Sequence, residues 1–314
     1  MISRHLARIK VMQVLYAHIQ DQEKTLNRLE RYLLENINKT YKSFLYSLYV
    51  LCKTAEYVYT DIRIRAEKFF PSAQDQINSV AIFENTVIQH FIRKEKLYDV
   101  VEAEKLNRLA DPDLFRLFFQ LLRKTPQYVA FAQKANPLLT DEREIVIFLY
   151  RAILSTHDLY QQHMEDLFSS WPDDRELIFS VITTHLNNIG PDDPPHIVRE
   201  AQNQREVKQF ALKLLRAVKE HEAETQALIL PFLENWDPER VALLDMLLMK
   251  MTLTEWLYFP EIPVKVSFDE YIEISKRYST PKSGEFINGV LDAVLRKLRA
   301  EQLVQKAGRG ALEA

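Results

Sequence analysis

The chain has 314 residues, and its composition excludes several classes of protein before any motif is considered. Only five residues are glycine, all at or beyond position 190, whereas an average usage of about 7% would give about twenty. Phosphate-binding loops need closely spaced glycines so that backbone amides can approach the ligand. We therefore expect no Walker-type or dinucleotide-binding loop. Because tight hairpins also use glycine, the composition favours an all-α protein.

Charge, cysteine content and hydropathy narrow the class further. The net charge is −3, so any attraction for nucleic acid must come from a local basic patch. The single cysteine, Cys52, excludes an internal disulfide and a multi-cysteine metal site. No apolar run reaches the length of a membrane-spanning helix, and the N-terminus lacks the apolar core of a signal peptide. We expect a cytoplasmic protein that does not bind membranes.

Residues 2–20 predict a helix with basic residues near its start. Ser3 is a candidate N-cap, and apolar residues at positions 6, 9, 12, 16 and 19 fall on one side. Arg4 and Arg8 lie one turn apart on this helix. Across residues 1–45, eight lysines and arginines outnumber four acids, so the segment carries a local surplus of four positive charges.

The chain up to its proline-rich segment also predicts helices. Residues 41–70 are rich in aromatic residues, and their length without glycine favours a long helix with rings in the core over a strand or a base-stacking platform. Further helices are predicted near 75–96, 97–110, 112–123, 126–135, 141–169 and 172–189. One glycine and three prolines in residues 187–196 predict a linker.

Helices are again predicted after the linker, near 197–222, 223–234 and 238–258 and in a final helix that ends near residue 300. The predicted helix starts are Asp237 with Pro238, Ser267 with Glu270 as a capping box, and Thr280 with Pro281. Residues 301–314 are expected to form a disordered tail. A faint repeat aligns residues 143–175 with 208–240, which either duplication or shared helical periodicity explains.

Catalytic and metal-binding patterns are absent from the sequence. It contains neither HExxH nor GxSxG, and no histidine follows a glutamate by three residues on a predicted helix. His157 and His163 are six residues apart and therefore lie on different helix faces. We expect no catalytic residue, no metal, no cofactor and no enzymatic activity.

Two segments of the sequence are more specific than its composition, namely SRHLARIKVMQVLYA at residues 3–17 and the run at residues 235–295. Together they resemble the NusB family of bacterial transcription antitermination factors. The first segment resembles the family's basic opening helix, which reads R-x-x-A-R and then Q-x-L-Y. Residues 235–295 resemble the later family pattern of E-L, P-x-K-V and S-x-x-F-V-N-G-V-L-D. The matching positions are Glu255, Pro263, Lys265, Val266, Glu270, Ser283, Phe286, Asn288, Gly289 and Asp292.

The resemblance implies an all-α fold of NusB-like helical bundles with an additional helical insertion. The implied domains are a basic helix region at 1–40, the insertion at 41–196 and a C-terminal helical domain at 197–300. It also implies an RNA-binding factor that pairs with NusE, a ribosomal protein, and recognises boxA RNA. In the transcription elongation complex such a pair helps the polymerase resist termination, chiefly on ribosomal RNA operons.

The resemblance further implies positions that contact RNA or the partner protein. His5 and Leu6 stand where the family usually has arginines, and Lys282 stands where an acid is frequent. The implied RNA-binding residues are Arg4, His5, Arg8, Tyr16, Lys282, Ser283, Phe286 and Asn288. The implied partner-binding residues are Phe232 and Asp245. Without the resemblance, Arg4 and Arg8 would be interpreted as solvated helix residues, and Tyr16 and Phe286 equally well as core.

Glycine in the last helix is a separate signal. Apolar residues at 287, 291, 295 and 298 place Gly289 inside a helix, where glycine costs about 1 kcal/mol relative to alanine. Close approach of another backbone or of RNA would explain why glycine is tolerated there.

Two alternatives from other functional classes remain at this point. The first is a helical protein-interaction scaffold that has lost RNA binding, which the reduced arginine cluster and the acidic net charge favour. The second is a ribosomal RNA cytosine methyltransferase, because some of these enzymes carry a NusB-like N-terminal domain. Only about twenty-five residues follow Asn288, too few for a catalytic domain, so the sequence argues against this enzyme.

Overall fold

Most residues that the structure describes are helical. The computed structural model covers residues 4–20, 25–70, 77, 79–194, 198, 204–233 and 241–313. Within these ranges no strand occurs, which confirms the predicted all-α class. Among the described helices, none is long and apolar enough to cross a membrane.

The described part of the chain contains fifteen α-helices. In chain order the α-helices are α1 (Arg4–Gln20), α2 (Leu26–Glu56), α3 (Val58–Ala66), α4 (Thr86–Gln89), α5 (Leu97–Ala103), α6 (Pro112–Arg123), α7 (Pro126–Ala132), α8 (Leu139–Phe148), α9 (Asp158–Leu167), α10 (Trp171–Asn188), α11 (Arg205–Glu220), α12 (Glu222–Ile229), α13 (Leu243–Tyr258), α14 (Val264–Tyr278) and α15 (Ser283–Ala300). Two π-helical turns, His90–Lys94 and Leu149–Leu154, continue α4 and α8. Three 3-10 turns lie at Leu106–Leu109, Leu230–Leu233 and Gly308–Glu313.

The chain divides into two compact units. The middle unit takes in Asn38–Gln204. The terminal unit joins Ser3–Ile37 with Arg205–Ala314, so the two ends of the sequence build one body. The boundary at residues 37–38 falls inside α2.

Helix α1 is a core element of the terminal unit. It packs against α11 and α13. The predicted apolar stripe is present, since Leu6, Ile9 and Met12 are buried. Burial extends to most of the circumference, however, and includes Arg8 and Lys10. A basic residue on this helix is therefore not a surface residue by default. The candidate cap Ser3 lies outside the described residues.

The aromatic segment forms part of the core of the middle unit. Helix α2 begins at Leu26, well before the predicted start at residue 41, because Leu29, Leu33 and Ile37 extend its buried stripe. The buried rings of the segment are Tyr41, Phe44, Tyr46 and Tyr49. The Tyr46 hydroxyl donates to the carbonyl oxygen of Leu109 at 2.9 Å. These rings confirm the core interpretation, whereas Phe69 and Phe70 at the segment's end are exposed.

Two predicted helices of the middle unit are wrong in extent. The helix predicted at 75–96 begins only at Thr86, because the Asn85 side chain accepts the amide of Val87 and caps it there. The helix predicted at 141–169 is interrupted before Asp158. There the His157 ring accepts the amide of Leu159 and starts a new helix, α9.

The predicted capping box in the terminal unit is also wrong. Helix α14 starts at Val264, one turn before Ser267. The Ser267 hydroxyl instead donates to the Glu255 carboxylate at 2.7 Å. Ser267 therefore makes a tertiary hydrogen bond and does not cap the helix. The predicted start at Asp237 and Pro238 lies outside the described residues.

The structure differs from the sequence expectation of a disordered tail. The Lys306 ammonium donates to the backbone oxygens of Glu255 and Phe259, each at 3.0 Å, at the C-terminal end of α13. The amide of Ala307 donates to the Pro260 oxygen, and a Cβ at Gly310 would overlap that same oxygen. These hydrogen bonds to carbonyl oxygens at the C-terminal end of α13 and just beyond it hold the tail against the terminal unit.

Stability should respond to pH through Lys306. Partial burial lowers the pKa of Lys306 to about 8 from its ordinary value of 10.5. Between these values the unfolded chain binds more protons than the folded chain, so stability rises with pH. Urea denaturation at pH 8 and pH 9.5 should show wild type gaining stability relative to Lys306→Arg, which cannot lose its proton in this range. An unchanged difference would contradict the lowered pKa.

Candidate functional site

A buried ion pair joins α1 to α13 in the terminal unit. The Arg8 guanidinium donates from Nε and Nη2 to the two carboxylate oxygens of Glu255, each at 2.8 Å. The side chains of Arg8 and Glu255 are 2% and 0% exposed. Burial lowers the pKa of Arg8, but the hydrogen bond and the charge of Glu255 outweigh burial and raise it above its ordinary value. Arg8 is thus a permanent buried cation.

Helix α14 completes the surroundings of the Glu255 carboxylate. The hydroxyls of Ser267 and Tyr271 each donate to it at 2.7 Å. Burial, followed by the nearby Glu255 charge, raises the Tyr271 pKa well above its ordinary value, so this phenol remains a donor. Four hydrogen bonds from two helices therefore satisfy one buried carboxylate, as a buried charge requires.

The other predicted RNA-binding residues of α1 are His5, Arg4 and Tyr16, and they have different surroundings. His5 Nδ1 lies 2.7 Å from the Glu270 carboxylate, which is also 3.4 Å from Arg8. Burial tends to raise the pKa of Glu270, but the His5 hydrogen bond and the Arg8 charge lower it overall. Arg4 is exposed, and its guanidinium lies 5.2 Å from the centre of the Phe210 ring. Tyr16 is half-buried.

A second buried network joins the starts of α13 and α15. The Asp245 carboxylate, 5% exposed, accepts the hydroxyls of Ser279 at 2.6 Å and Ser283 at 2.8 Å. The Ser283 oxygen also accepts the amide of Thr280. One predicted RNA-binding residue, Ser283, and one predicted partner-binding residue, Asp245, thus bond to each other below the surface. The other predicted partner residue, Phe232, is half-buried.

The outer surface of α15 contains the predicted residues that remain accessible. Lys282 and Asn288 are exposed and Phe286 is half-buried. Gly289 is exposed as well, and apart from the adjoining backbone of α15 no described atom lies within 4 Å of where its Cβ would stand. Close approach of another described backbone therefore does not explain this glycine.

Two further cations on α14 were not among the predicted site residues. Lys276 and Arg277 are exposed in the last turn of α14. The Lys276 side chain passes 3.4 Å from the position of a Cβ on Gly284, at the start of α15. Lys276, Arg277, Lys282, Phe286 and Asn288 are called the α14–α15 face below. The adjacent K-R pair shortly before Pro281 was the available sequence signal.

Comparisons with known proteins assign the chain to a family. A family model described as the NusB family matches residues 172–296. The transcription antitermination protein NusB of Koribacter versatilis is 38% identical over 99 residues, which cover 32% of this chain and 68% of that protein. The chain belongs to the NusB family. The NusB protein of Salinibacter ruber is 46% identical over 103 residues, and that of Chloroherpeton thalassium 38% identical over 106 residues.

These similarities have limited extent. The matched segments cover 33% and 34% of this chain, and 64% and 50% of the Salinibacter and Chloroherpeton proteins. A solved structure of T. maritima NusB is 33% identical in the matched region, with a TM-score of 0.29. That region covers 32% of this chain and 72% of the T. maritima chain. The family match begins at the start of α10 and runs through nearly all of α15.

The geometry corrects two of the RNA-binding positions that the NusB resemblance implied. Arg8 is not placed where a phosphate could reach it, because its guanidinium is buried, with Nε and Nη2 bonded to Glu255 and Nη1 3.4 Å from the Glu270 carboxylate. Ser283 is 2% exposed and is occupied by Asp245. Asp245 is likewise buried rather than presented to a partner. Much of this NusB motif therefore supports the fold itself.

Removing the Arg8 guanidinium should destabilise the terminal unit. In Arg8→Met, Glu255 is left buried without its counter-charge, and breaking a buried pair costs about 3–5 kcal/mol. The double variant Arg8→Met, Glu255→Leu should recover part of this loss. Urea denaturation of the variants measures it, with exposed Arg4→Met as a control expected within about 0.5 kcal/mol of wild type. An unchanged free energy of unfolding in Arg8→Met would show that the pair does not hold the unit together.

Proposed function

We propose that this chain is an RNA-binding transcription antitermination factor without catalytic activity. It acts in the cytoplasm with a NusE-type ribosomal protein on boxA-type RNA, in ribosomal RNA transcription. The observation that carries the proposal is the family match across α13–α15, which includes the accessible α14–α15 face.

The chemistry of the α14–α15 face suits single-stranded RNA. Lys276, Arg277 and Lys282 are exposed cations that can bind phosphates and fix the register of the strand. Phe286 offers part of a ring for stacking, and Asn288 offers amide donors and acceptors for base edges. These are the two kinds of contact that sequence-specific RNA binding requires.

At the start of α1, Arg4 is the predicted basic residue best placed to add a phosphate contact. Arg4 is exposed, and its guanidinium lies 5.2 Å from the centre of the Phe210 ring, so its N–H groups can still donate to a phosphate. His5 is half-buried against Glu270, so it contributes less charge to the surface. Tyr16 is half-buried and stays a predicted RNA contact.

The scaffold alternative rests on one specific observation. Because Arg8 is committed to Glu255, the basic cluster at the start of α1 contributes fewer phosphate contacts than the resemblance implied. Each lost contact weakens RNA affinity and its salt dependence. A helical scaffold that contacts the partner protein without reading RNA is therefore the second candidate. The assignment of residues 41–196 as an insertion stays a prediction under either candidate.

A titration of labelled RNA distinguishes the two candidates. The protein with its NusE-type partner should bind a boxA-like RNA more tightly than a scrambled RNA at two salt concentrations. Lys282→Glu should weaken binding to both RNAs and reduce the salt slope by about 0.7 or more, because a phosphate contact is lost. The matched control is Arg151→Glu, at an exposed arginine of the middle unit. Equal affinity for both RNAs would contradict specific recognition and favour the scaffold.

Gly289→Ala separates stability from binding on the same face. A Cβ at Gly289 meets no described atom, so alanine should stabilise α15 by about 0.5–1 kcal/mol. If RNA or the partner approaches this helix closely, the added methyl should weaken binding although the fold is more stable. Thermal denaturation and the RNA titration measure the two effects. Greater stability with unchanged binding would remove Gly289 from the proposed contact surface.

A further inference from the structure

Two phenylalanine rings in the terminal unit lie beside cations that the α14–α15 face does not include. Phe210 is on α11, and Phe259 follows the end of α13. The rings meet edge to face with their centres 5.8 Å apart, and they are 7% and 0% exposed. Edge-to-face contact is a favourable arrangement of aromatic rings, so the pair is a fixed part of the core. The two rings are called the Phe210–Phe259 platform below.

Each ring of the platform contacts one exposed cation. The Arg4 guanidinium lies 5.2 Å from the centre of the Phe210 ring, and the Lys213 ammonium lies 4.3 Å from the centre of the Phe259 ring. Both distances are within the range of cation–π attraction. Arg4 is exposed and Lys213 is 55% exposed, so both cations can be reached by a ligand while the rings restrict where the two side chains lie.

The platform is held in place by contacts other than those to the two exposed cations. The Arg8 guanidinium, buried in its pair with Glu255, lies 5.3 Å from the centre of the Phe210 ring. The backbone oxygen of Phe259 accepts the Lys306 ammonium at 3.0 Å. Because α1 and the C-terminal tail fix the rings in this way, the rings can position a surface side chain that would otherwise move freely.

The charges around the platform favour an anionic ligand. Helix α11 carries five lysines and arginines against two glutamates. Arg4 forms no ion pair in the part of the chain that the structure describes, and neither does Glu206, the exposed acid one turn before Phe210. Glu261 lies 3.6 Å from Lys213, but the two side chains are 48% and 55% exposed. An ion pair this exposed is weak, so a phosphate can replace the Glu261 carboxylate.

We propose that the Phe210–Phe259 platform positions Arg4 and Lys213 as a paired site for phosphates of the RNA strand. This inference rests on the proposed function, because it takes RNA as the ligand and extends its path from the start of α1 to α11. Arg4 donates from the edge of its planar guanidinium while Phe210 supports one face, and Lys213 donates in place of its contact with Glu261. Contacts to phosphates fix the register of the strand and add affinity without reading sequence. Phe210 and Phe259 are positioning residues, which contact the two cations and not the RNA.

A titration of the boxA-like and scrambled RNAs with the full chain and its NusE-type partner tests the two contacts. Arg4→Met and Lys213→Met should each weaken binding to both RNAs and lower the salt slope by about 0.7, because one phosphate contact is lost. Glu261→Gln should strengthen binding, since the phosphate no longer competes with a carboxylate for Lys213. The matched control is Lys124→Met, at an exposed lysine of the middle unit, which should leave binding unchanged. Equal weakening by Lys213→Met and Lys124→Met would show diffuse charge attraction and overturn the proposal.

The positioning role of Phe210 has its own test. Arg4→Met should cost less RNA affinity in the Phe210→Leu background than in wild type, because the guanidinium is no longer held there. Phe115→Leu, which removes a ring of the middle unit that is 6% exposed, is the control background in which the full cost should remain. In wild-type protein without RNA, the ring current of Phe210 should move the Arg4 Nε–H proton resonance upfield, with Arg4→Met used to assign it. An equal cost of Arg4→Met in all backgrounds, or an unshifted Arg4 resonance, would overturn the positioning role.

The same titration separates this site from the proposed function. Equal affinity of wild type for the two RNAs, with the losses in Arg4→Met and Lys213→Met intact, would contradict boxA recognition and still support the phosphate site. A preference for the boxA-like RNA together with an unchanged affinity and salt slope in Lys213→Met would support the proposed function and overturn the paired site.

Discussion

The buried pair of Arg8 and Glu255 is the contact on which the terminal unit depends. Its two members are separated by 247 residues in the chain, so this one contact ties the first helix to the C-terminal helices. Taking both charges out of water is costly, and the two N–H donors of Arg8 and the two hydroxyls from α14 offset that cost. The pair therefore fixes one arrangement of α1, α13 and α14.

The same contact changes what the family motif means in this chain. Four polar residues of these helices are buried and hydrogen-bonded within the fold. Ser267 and Tyr271 donate to the Glu255 carboxylate, and Ser283 donates to the Asp245 carboxylate. Polar residues in a family motif are commonly interpreted as ligand contacts. Because these four side chains are buried and hydrogen-bonded to one another or to Asp245, they stabilise the fold instead. The RNA contacts proposed from the family resemblance that stay accessible are fewer, namely Arg4, the half-buried Tyr16 and the α14–α15 face. The proposed RNA contacts and the stability of the fold thus depend on different residues.

Local signals in the sequence predicted the parts of the structure that depend on local physics. The all-α class followed from glycine scarcity and helical periodicity, and α1 and α15 followed from their apolar spacing. The burial of Arg8 could not be predicted in this way, because it depends on a carboxylate 247 residues away. The π-helical turns and the contact between the Phe210 and Phe259 rings likewise arise from tertiary packing, which no spacing rule within one helix encodes.

The two glycines of α15 show how position decides between a structural and a functional explanation. Gly284 is buried, and a Cβ there would lie at van der Waals distance, 3.4 Å, from the Lys276 side chain, so this glycine is surrounded by packed atoms. Gly289 lies one and a half turns further on, exposed, with no described neighbour within 4 Å. Its helical cost of about 1 kcal/mol is not offset by any contact in the described fold. A contact from outside the described fold would offset this cost, which is the physical argument for the proposed binding surface on α15.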